Sequence, residues 1–485
     1  MPCNLKFLTT MNLLTTNRLK SIKDSIHITL LLFLLVFTVD KIVLKAAGIV
    51  LIYLLHPDFR FKQKIRNIPT FYLLIVAFEL LKFVFFNTDF SKAHIASFTI
   101  GCAFWICSFL CLYQLRSITD TIDKEKTART LTVFFLINAG ISLLNLLLTM
   151  YQSGSINPYT VTDERFNAST GDFIKGLFMA PCYINMMVNA FFIFFFLYRE
   201  KIIYALLAAA IAIITTSNFA NIILIPVLVA CFIFSGKRKI RFSIIACFLM
   251  LGLFYVFVSP SNLRYLKDSI DTTPSQTHEL IEYEKAILSQ NAAHFHDEVR
   301  YGDSTELITL SDRYGKVLSL RETGAYLLSG PGPFLLGAGV GSYSSFLALR
   351  TSGLGNTEGS RLFRYVPEYR SPAFEKDHYQ IFKMIYLLPK AFHSIKHFPN
   401  SFANQLFGEY GIIGFLLFIF TYVWFFFKRF KQLTYGKYLL FLLGGFLLFD
   451  YLFEYLSVVV LFELLMLTDM KKGTATNETQ PANAQ

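Results

Sequence analysis

The residues in this chain best suited to chemistry are cations gathered in one long polar stretch: Arg300, Arg313, Arg321, Arg350, Arg361, Arg364, Arg370, His378, His393 and His397. Arginine grips two phosphate oxygens at once with its planar fork and stays charged at any working pH, so such a set suits a phosphate-bearing substrate. Histidine adds a group that takes or gives a proton near neutrality. The plainer alternative is that these cations are solvated or pair with Glu279, Glu282, Glu284, Glu298 and Glu306, because exposed ion pairs are common and weak. A glycine-rich run from Gly330 to Gly341 follows, where backbone amides can approach an anion or simply turn the chain. Glu79 and Lys82 stand three apart inside an apolar run, where charge is costly and is kept either for transport and relay or as a structural ion pair.

The elements that must carry these residues are read from composition. Of 485 residues 54% are hydrophobic and only 16% charged, and the mean hydropathy is +0.48, which is the balance of a chain dissolved in lipid rather than water. Apolar stretches near 25–39, 42–56, 70–86, 94–115, 129–151, 175–198, 202–216, 218–235, 243–259, 411–427, 437–450 and 451–469 predict about twelve transmembrane helices. The net charge of +12 falls in short basic clusters between alternate stretches, such as Lys237 to Arg241 and Lys428 to Lys431. That is the positive-inside pattern, not a nucleic-acid surface. It sets both termini in the cytoplasm and keeps the first two and last two stretches as separate spans.

The domain organisation follows: a cytoplasmic segment 1–24, helices one to nine over 25–259, an extracytoplasmic loop 260–406, helices ten to twelve over 407–469, and a polar disordered tail 470–485. Apolar spacing at Leu280, Ile281, Tyr283, Ala286 and Ile287 predicts that the loop is folded and partly helical. Six of the seven cysteines lie in predicted spans and none in the loop, so no disulfide and no CxxC metal site are expected.

Where the loop returns to the membrane, the chain reads His397-Phe-Pro399-Asn400-Ser-Phe-Ala-Asn-Gln-Leu-Phe-Gly-Glu409-Tyr-Gly411-Ile-Ile-Gly414. This resembles the O-antigen polymerase and O-antigen ligase family, in which a His-Asn pair is followed by Glu-x-Gly-x-x-Gly opening a transmembrane helix. The Glu409 half matches; in the His-Asn half Pro399 stands before Asn400 and the interval to Glu409 is about one residue long. Leu318-Ser319-Leu320-Arg321, followed by Gly337, Gly339 and Gly341, resembles the Arg and glycine segment that precedes the family's His motif. Arg165 stands where the family often has an external Arg, and Thr215-Thr216-Ser217-Asn218 is similar to a family turn, with Asn218 in place of its Arg. Ser217 and Asn218 alternatively cap a helix.

The resemblance covers roughly residues 175–430 and implies an all-α, GT-C-like integral membrane enzyme of the bacterial inner membrane. It implies metal-independent transfer of an oligo- or polysaccharide from polyprenyl pyrophosphate to an acceptor sugar on the outer face, with no cofactor. His397, or alternatively Glu409, would be the catalytic base. Arg321 and Arg165 would hold pyrophosphate, Asn400 would orient a substrate by hydrogen bonding, and Gly339 and Gly341 would line the donor site. A bland role stands beside each: an interfacial His397, a helix-capping Asn400, a first-turn Glu409, close packing at Gly411 and Gly414. A repeat-unit polymerase is preferred to a ligase acting on lipid A-core. A polysaccharide flippase or other transporter, or a non-catalytic assembly protein, is the competing class. Expected partners are the lipid-linked donor, the glycan or lipid A-core acceptor, membrane lipids and a chain-length regulator.

Overall fold

The computed structural model describes residues 25–39, 42–55, 67–161, 166–179, 181–270, 315–354, 367–387, 399–448 and 450–471. Within them the chain is helical, without a strand. In order, the helices are α1 (Ile28–Phe37), α2 (Ile42–Leu55), α3 (Phe71–Phe86), α4 (Lys92–Thr121), α5 (Lys124–Ser153), α6 (Cys182–Tyr198), α7 (Ile202–Ile214), α8 (Asn218–Phe234) and α9 (Arg238–Leu253). The polar stretch supplies α10 (Pro260–Ile270), α11 (Gly315–Leu328), α12 (Pro331–Leu336), α13 (Phe346–Thr351), α14 (Pro372–Asp377) and α15 (Tyr379–Leu387). The chain closes with α16 (Phe402–Phe418), α17 (Gly436–Leu447) and α18 (Leu456–Met470).

Each of the twelve apolar stretches therefore contains a helix, the conformation in which an apolar run satisfies its own backbone. Four helical stretches are long and apolar enough to cross a membrane: Lys92–Thr121, Lys124–Ser153, Arg238–Val258 and Phe402–Gln432. Six others are apolar but only 10–17 residues long. The bundle's flank is strongly apolar, with Leu54 74%, Val84 72% and Phe234 78% exposed, a surface suited to lipid and rare against water. α6 and α18 form the centre, both buried along almost their whole length. Alanines 205, 208, 209 and 212 of α7 are buried too, small residues that let neighbouring helices approach closely.

The two ends of the bundle differ. At one, Arg199 pairs with Glu125, Lys237 Nζ lies 2.7 Å from Glu200, and Lys471 Nζ donates to the carbonyls of Thr119 (2.8 Å) and Ile122 (2.6 Å). The described basic clusters sit here, while helices α11 to α15 lie at the opposite end, called here the loop face. Arg60, Lys62, Lys64 and Arg66, and the apolar pattern at 280–287, lie outside the described residues.

Several helix ends depart from the sequence expectation by five residues or more, and three of them bear on the loop face. α6 begins at Cys182, not near 175, because Gly176 (φ +60°) and Pro181 interrupt helix and the side chains of neighbouring helices take over the backbone bonds. α16 begins at Phe402, about two turns before 411, because its polar first turns pack on loop helices; it breaks at Gly411 (φ 62°, ψ −163°). α18 begins at Leu456, leaving Asp450 and Glu454 in the connection before it.

The connection from α5 to α6 also does more than bridge two helices. Residues 166–179 fold back along α5: Gly176 N donates to Asn145 Oδ1 (2.9 Å) and Leu177 N to Asn138 Oδ1 (3.0 Å). Asn145 and Asn138 lie about 12 and 22 Å along α5 from its loop-face end, at 1.5 Å per residue.

Candidate functional site at the loop face

The glycine-rich run is held by two helices of the bundle. From α3, Glu79 Oε2 accepts the amide of Val340 (3.0 Å), and Lys82 Nζ donates to the carbonyls of Leu336 (2.7 Å) and Glu409 (3.2 Å). From α16, the carbonyls of Gly408 and Glu409 accept the amides of Ala338 and Gly339, both at 2.8 Å. The Glu409 carboxylate accepts from the amides of Tyr343 (3.4 Å) and Gly341 and from the Ser345 hydroxyl. Glu79 and Lys82 are 3.8 Å apart, and their hydrogen bonds go to the run and to the Glu409 carbonyl of α16. The amides of Gly339 and Gly341, expected to line the donor site, are thus engaged by Glu409. Glu409 itself, the alternative base, is fully buried beneath the run, with Oε2 pairing with no protein group.

Beside this latch, α11 lays one face on the start of α16. Lys316, Ser319 and Thr323 recur at helical spacing and are buried. Lys316 Nζ donates to Asn400 O (2.6 Å), Ser319 Oγ to Pro399 O (3.2 Å), and the Asn404 amide to Ser319 Oγ and Pro399 O. Burial lowers the Lys316 ammonium to about 8, opposed by the carboxylate of Asp450. Asp450 is buried, and its carboxyl hydrogen-bonds the side chains of Tyr183 and Asn400. Tyr183 reaches Tyr455 hydroxyl to hydroxyl at 2.8 Å. Glu454 accepts from Phe346 N (3.1 Å) and from Gln405 Nε2 (2.7 Å).

Thr323 continues this contact to His378, with Oγ1 3.4 Å from Nε2. His378 is fully buried, edge-on to Tyr343 at 4.5 Å, and burial depresses its imidazole to about 3. Tyr343 stacks on Tyr326 (4.6 Å) and donates to Asp377 Oδ2 (3.1 Å), whose carboxyl is raised by desolvation. One stretch then stands out chemically. Asn400 Oδ1, Ser401 Oγ, Asn404 Oδ1, Gln405 Oε1 and Glu409 Oε2 are all buried oxygens with no protein donor. Buried acceptors are normally paired, so five within ten residues mark a place that suits hydroxyl or other donor groups.

The other expected site residues are distributed as follows. Arg321 is exposed, on the side of α11 away from Ser319 and Thr323, beside exposed Val317 and Leu320. His397 and Arg165 lie outside the described residues. Asn400 has its carbonyl on Lys316 and its side chain on Asp450. The turn at 215–218 meets the folded-back segment: Gly171 packs against Thr215 and Thr216, the latter at φ +43°, and Tyr159 OH donates to Ile214 O. Ser217 makes no side-chain cap, and Asn218 bonds Tyr255 OH (2.7 Å) and Asn262 (3.1 Å). Two consecutive residues join the groups, since Cys182 Sγ donates to Asp172 Oδ1 (3.1 Å) in the folded-back segment while Tyr183 reaches Asp450.

Sequence reasoning passed over Lys316 and Tyr183, and met Tyr343 only as the end of the glycine-rich segment, without a role. The available signals were slight: a lysine five residues before Arg321, and tyrosines among many aromatics. No protein-family model, no curated protein and no solved structure matches the chain.

Proposed function

We propose that this chain is a twelve-span, GT-C-like enzyme of the bacterial inner membrane that transfers a glycan from polyprenyl pyrophosphate to an acceptor sugar, as a repeat-unit polymerase. The basic end then faces the cytoplasm, where Lys and Arg of short connections collect, and the loop face lies outside. The observation that carries the proposal is the row of five donor-seeking oxygens from Asn400 to Glu409, with Arg321 exposed on the other face of the helix that packs on its start. A sugar is a dense array of hydroxyl donors, and a pyrophosphate is the natural partner of arginine.

In this mechanism the acceptor hydroxyl oxygen bonds to the anomeric carbon while the bond from that carbon to the pyrophosphate oxygen breaks. The electron pair leaves with pyrophosphate, whose charge Arg321 and Arg165 balance. The hydroxyl proton passes to His397, or through this row to Glu409. The rest is positioning of two substrates, which turns a two-body encounter into a step within one complex.

The test compares surface glycans of a deletion strain carrying wild type, Arg321→Ala, His397→Ala or Asn404→Ala at equal membrane abundance. Loss of long chains with a single repeat still attached supports the polymerase. Loss of all attached repeats with carrier-linked polymer accumulating means a ligase. Unchanged glycans in every variant would sink the enzyme and bring the transporter forward.

A further inference from the structure

Residues 166–179 lie beside α5 as a short 3-10 helix, Asn167–Phe173, followed by non-helical chain over 174–179, at a depth where unpaired backbone polar groups persist only against protein or water. Protein side chains and backbone satisfy them: besides the bonds to Asn145 and Asn138, Ile174 O accepts from Asn185 Nδ2 (3.1 Å) and Met179 N donates to Thr38 O (3.2 Å). Asn185 is itself fixed by Asn138 (2.8 Å), Ser142 (3.0 Å) and Asn189 (2.8 Å). The segment is therefore a rigid wall with two sides. Thr170, Ile174 and Phe178 are buried, whereas Asp172, Phe173, Lys175 and Met179 are exposed.

The exposed side has an unusual composition. Phe173 (41% exposed) and Met179 (65%) are apolar, while between them stands the exposed ammonium side chain of Lys175. Asp172 is close enough to act on that charge but is not in ion-pair contact, and its Oδ1 receives the Cys182 thiol. The amide next to Lys175 lies about 12 Å below the end of α5, and a lysine stem spans roughly half of that depth towards the polar surface. A wall facing only lipid tails would not keep an ammonium, and a site for a soluble anion needs no exposed Phe and Met. Both needs are met by a molecule with a phosphate above and a hydrocarbon chain below.

We propose that Lys175, flanked by Phe173 and Met179, binds the phosphate of a lipid that enters sideways from the leaflet at the loop face. That this lipid is the polyprenyl carrier rests on the glycan-transfer proposal; the lipid-phosphate chemistry does not. Through Asp172 and Cys182 the wall adjoins Tyr183 and Asp450, so the bound phosphate lies next to the loop-face site.

The full chain would be placed in phosphatidylcholine nanodiscs and its binding of polyprenyl phosphate or, separately, phosphatidylglycerol measured by native mass spectrometry. Wild type, Lys175→Gln and Lys175→Arg are compared, with melting temperatures confirming that each is folded. Wild type is expected to bind polyprenyl phosphate saturably, Lys175→Gln about tenfold more weakly, the cost of losing roughly one charge-assisted contact, and Lys175→Arg nearly as well. Equal binding by wild type and Lys175→Gln overturns the site and leaves the glycan-transfer proposal standing. Lys175-dependent binding of phosphatidylglycerol alone upholds the lipid-phosphate site and removes the donor from the glycan-transfer proposal. Failure of wild type to bind either lipid overturns the site.

Discussion

Gly337 and Gly411 meet backbone to backbone: a Cβ on Gly411 would fall 2.8 Å from the Gly337 nitrogen, and one on Gly337 would fall 2.6 Å from the Gly411 nitrogen. Both have positive φ, +66° and +62°, so the break in α16 and the turn of the glycine run exist only together and only as glycines. This contact seats the loop on the bundle and fixes where the polar row of α16 faces.

Gly411→Ala is expected to destabilise the protein by about 1–3 kcal/mol from backbone strain alone, with the clash adding to it. Gly444→Ala is the control, since Gly444 is helical with nothing within 4 Å of an added Cβ. It should melt at or slightly above the wild-type temperature. Equal melting of the two variants would show that the glycine contact does not hold the loop.

Lys82→Met should leave Glu79, only 2% exposed, without its cation and release the carbonyls of Leu336 and Glu409. Removing one member of a buried pair costs about 3–5 kcal/mol. Converting Glu79→Gln as well should recover part of the loss, so the two changes will not add. Thermal melts of both singles and the double measure this coupling, and limited proteolysis tests whether the loop loosens in Lys82→Met.

His378 gives the fold an acid-sensitive point. Its imidazole is depressed from 6.5 to about 3, so between those values the unfolded chain takes up a proton that the folded chain refuses. The stability it contributes is complete above 6.5 and is lost as pH falls towards 3. Around it stand Tyr343, Thr323, Phe382 and, through Tyr343, Asp377. His378→Phe should flatten the fall of melting temperature with acid relative to wild type; parallel curves would show that the imidazole is reached by water.

Lys316 acts at the alkaline side. Its ammonium is lowered from 10.5 to about 8, so burial of the charge costs stability below 8, and that cost is relieved as pH rises from 8 towards 10.5. A shift of this size corresponds to about 3 kcal/mol. Wild type should gain stability relative to Lys316→Met across that range, measured by chemical denaturation at a series of pH values. A constant difference between the two would place the ammonium in contact with solvent.

Much of the helical layout was legible because a helix in an apolar run depends on its own residues: the stretches at 71–86, 202–214 and 218–234 form within a few positions of expectation. Where neighbours supply the hydrogen bonds, sequence misled. The stretch from 175 reads as the start of a helix, yet Asn138, Asn145 and Asn185 take the backbone groups of Leu177, Gly176 and Ile174 instead. At the site, Arg321, Asn400, Glu409 and the glycines stood out by type, but what each touches did not. The partners of Glu409 are Gly339, Gly341 and Tyr343, far along the chain, and no local periodicity encodes such a pairing.

By itself, then, the sequence determined helices, their apolar surfaces, and the separation of basic connections from one long polar loop, because composition and period act within a turn or two of chain. Only the tertiary structure decided that Gly337 enters the break at Gly411, that Lys316 and Asp450 are buried together, and that the segment before α6 folds back along α5. Those outcomes come from burying polar groups among distant partners, where the cost of an unpaired donor or acceptor selects one arrangement of the whole bundle.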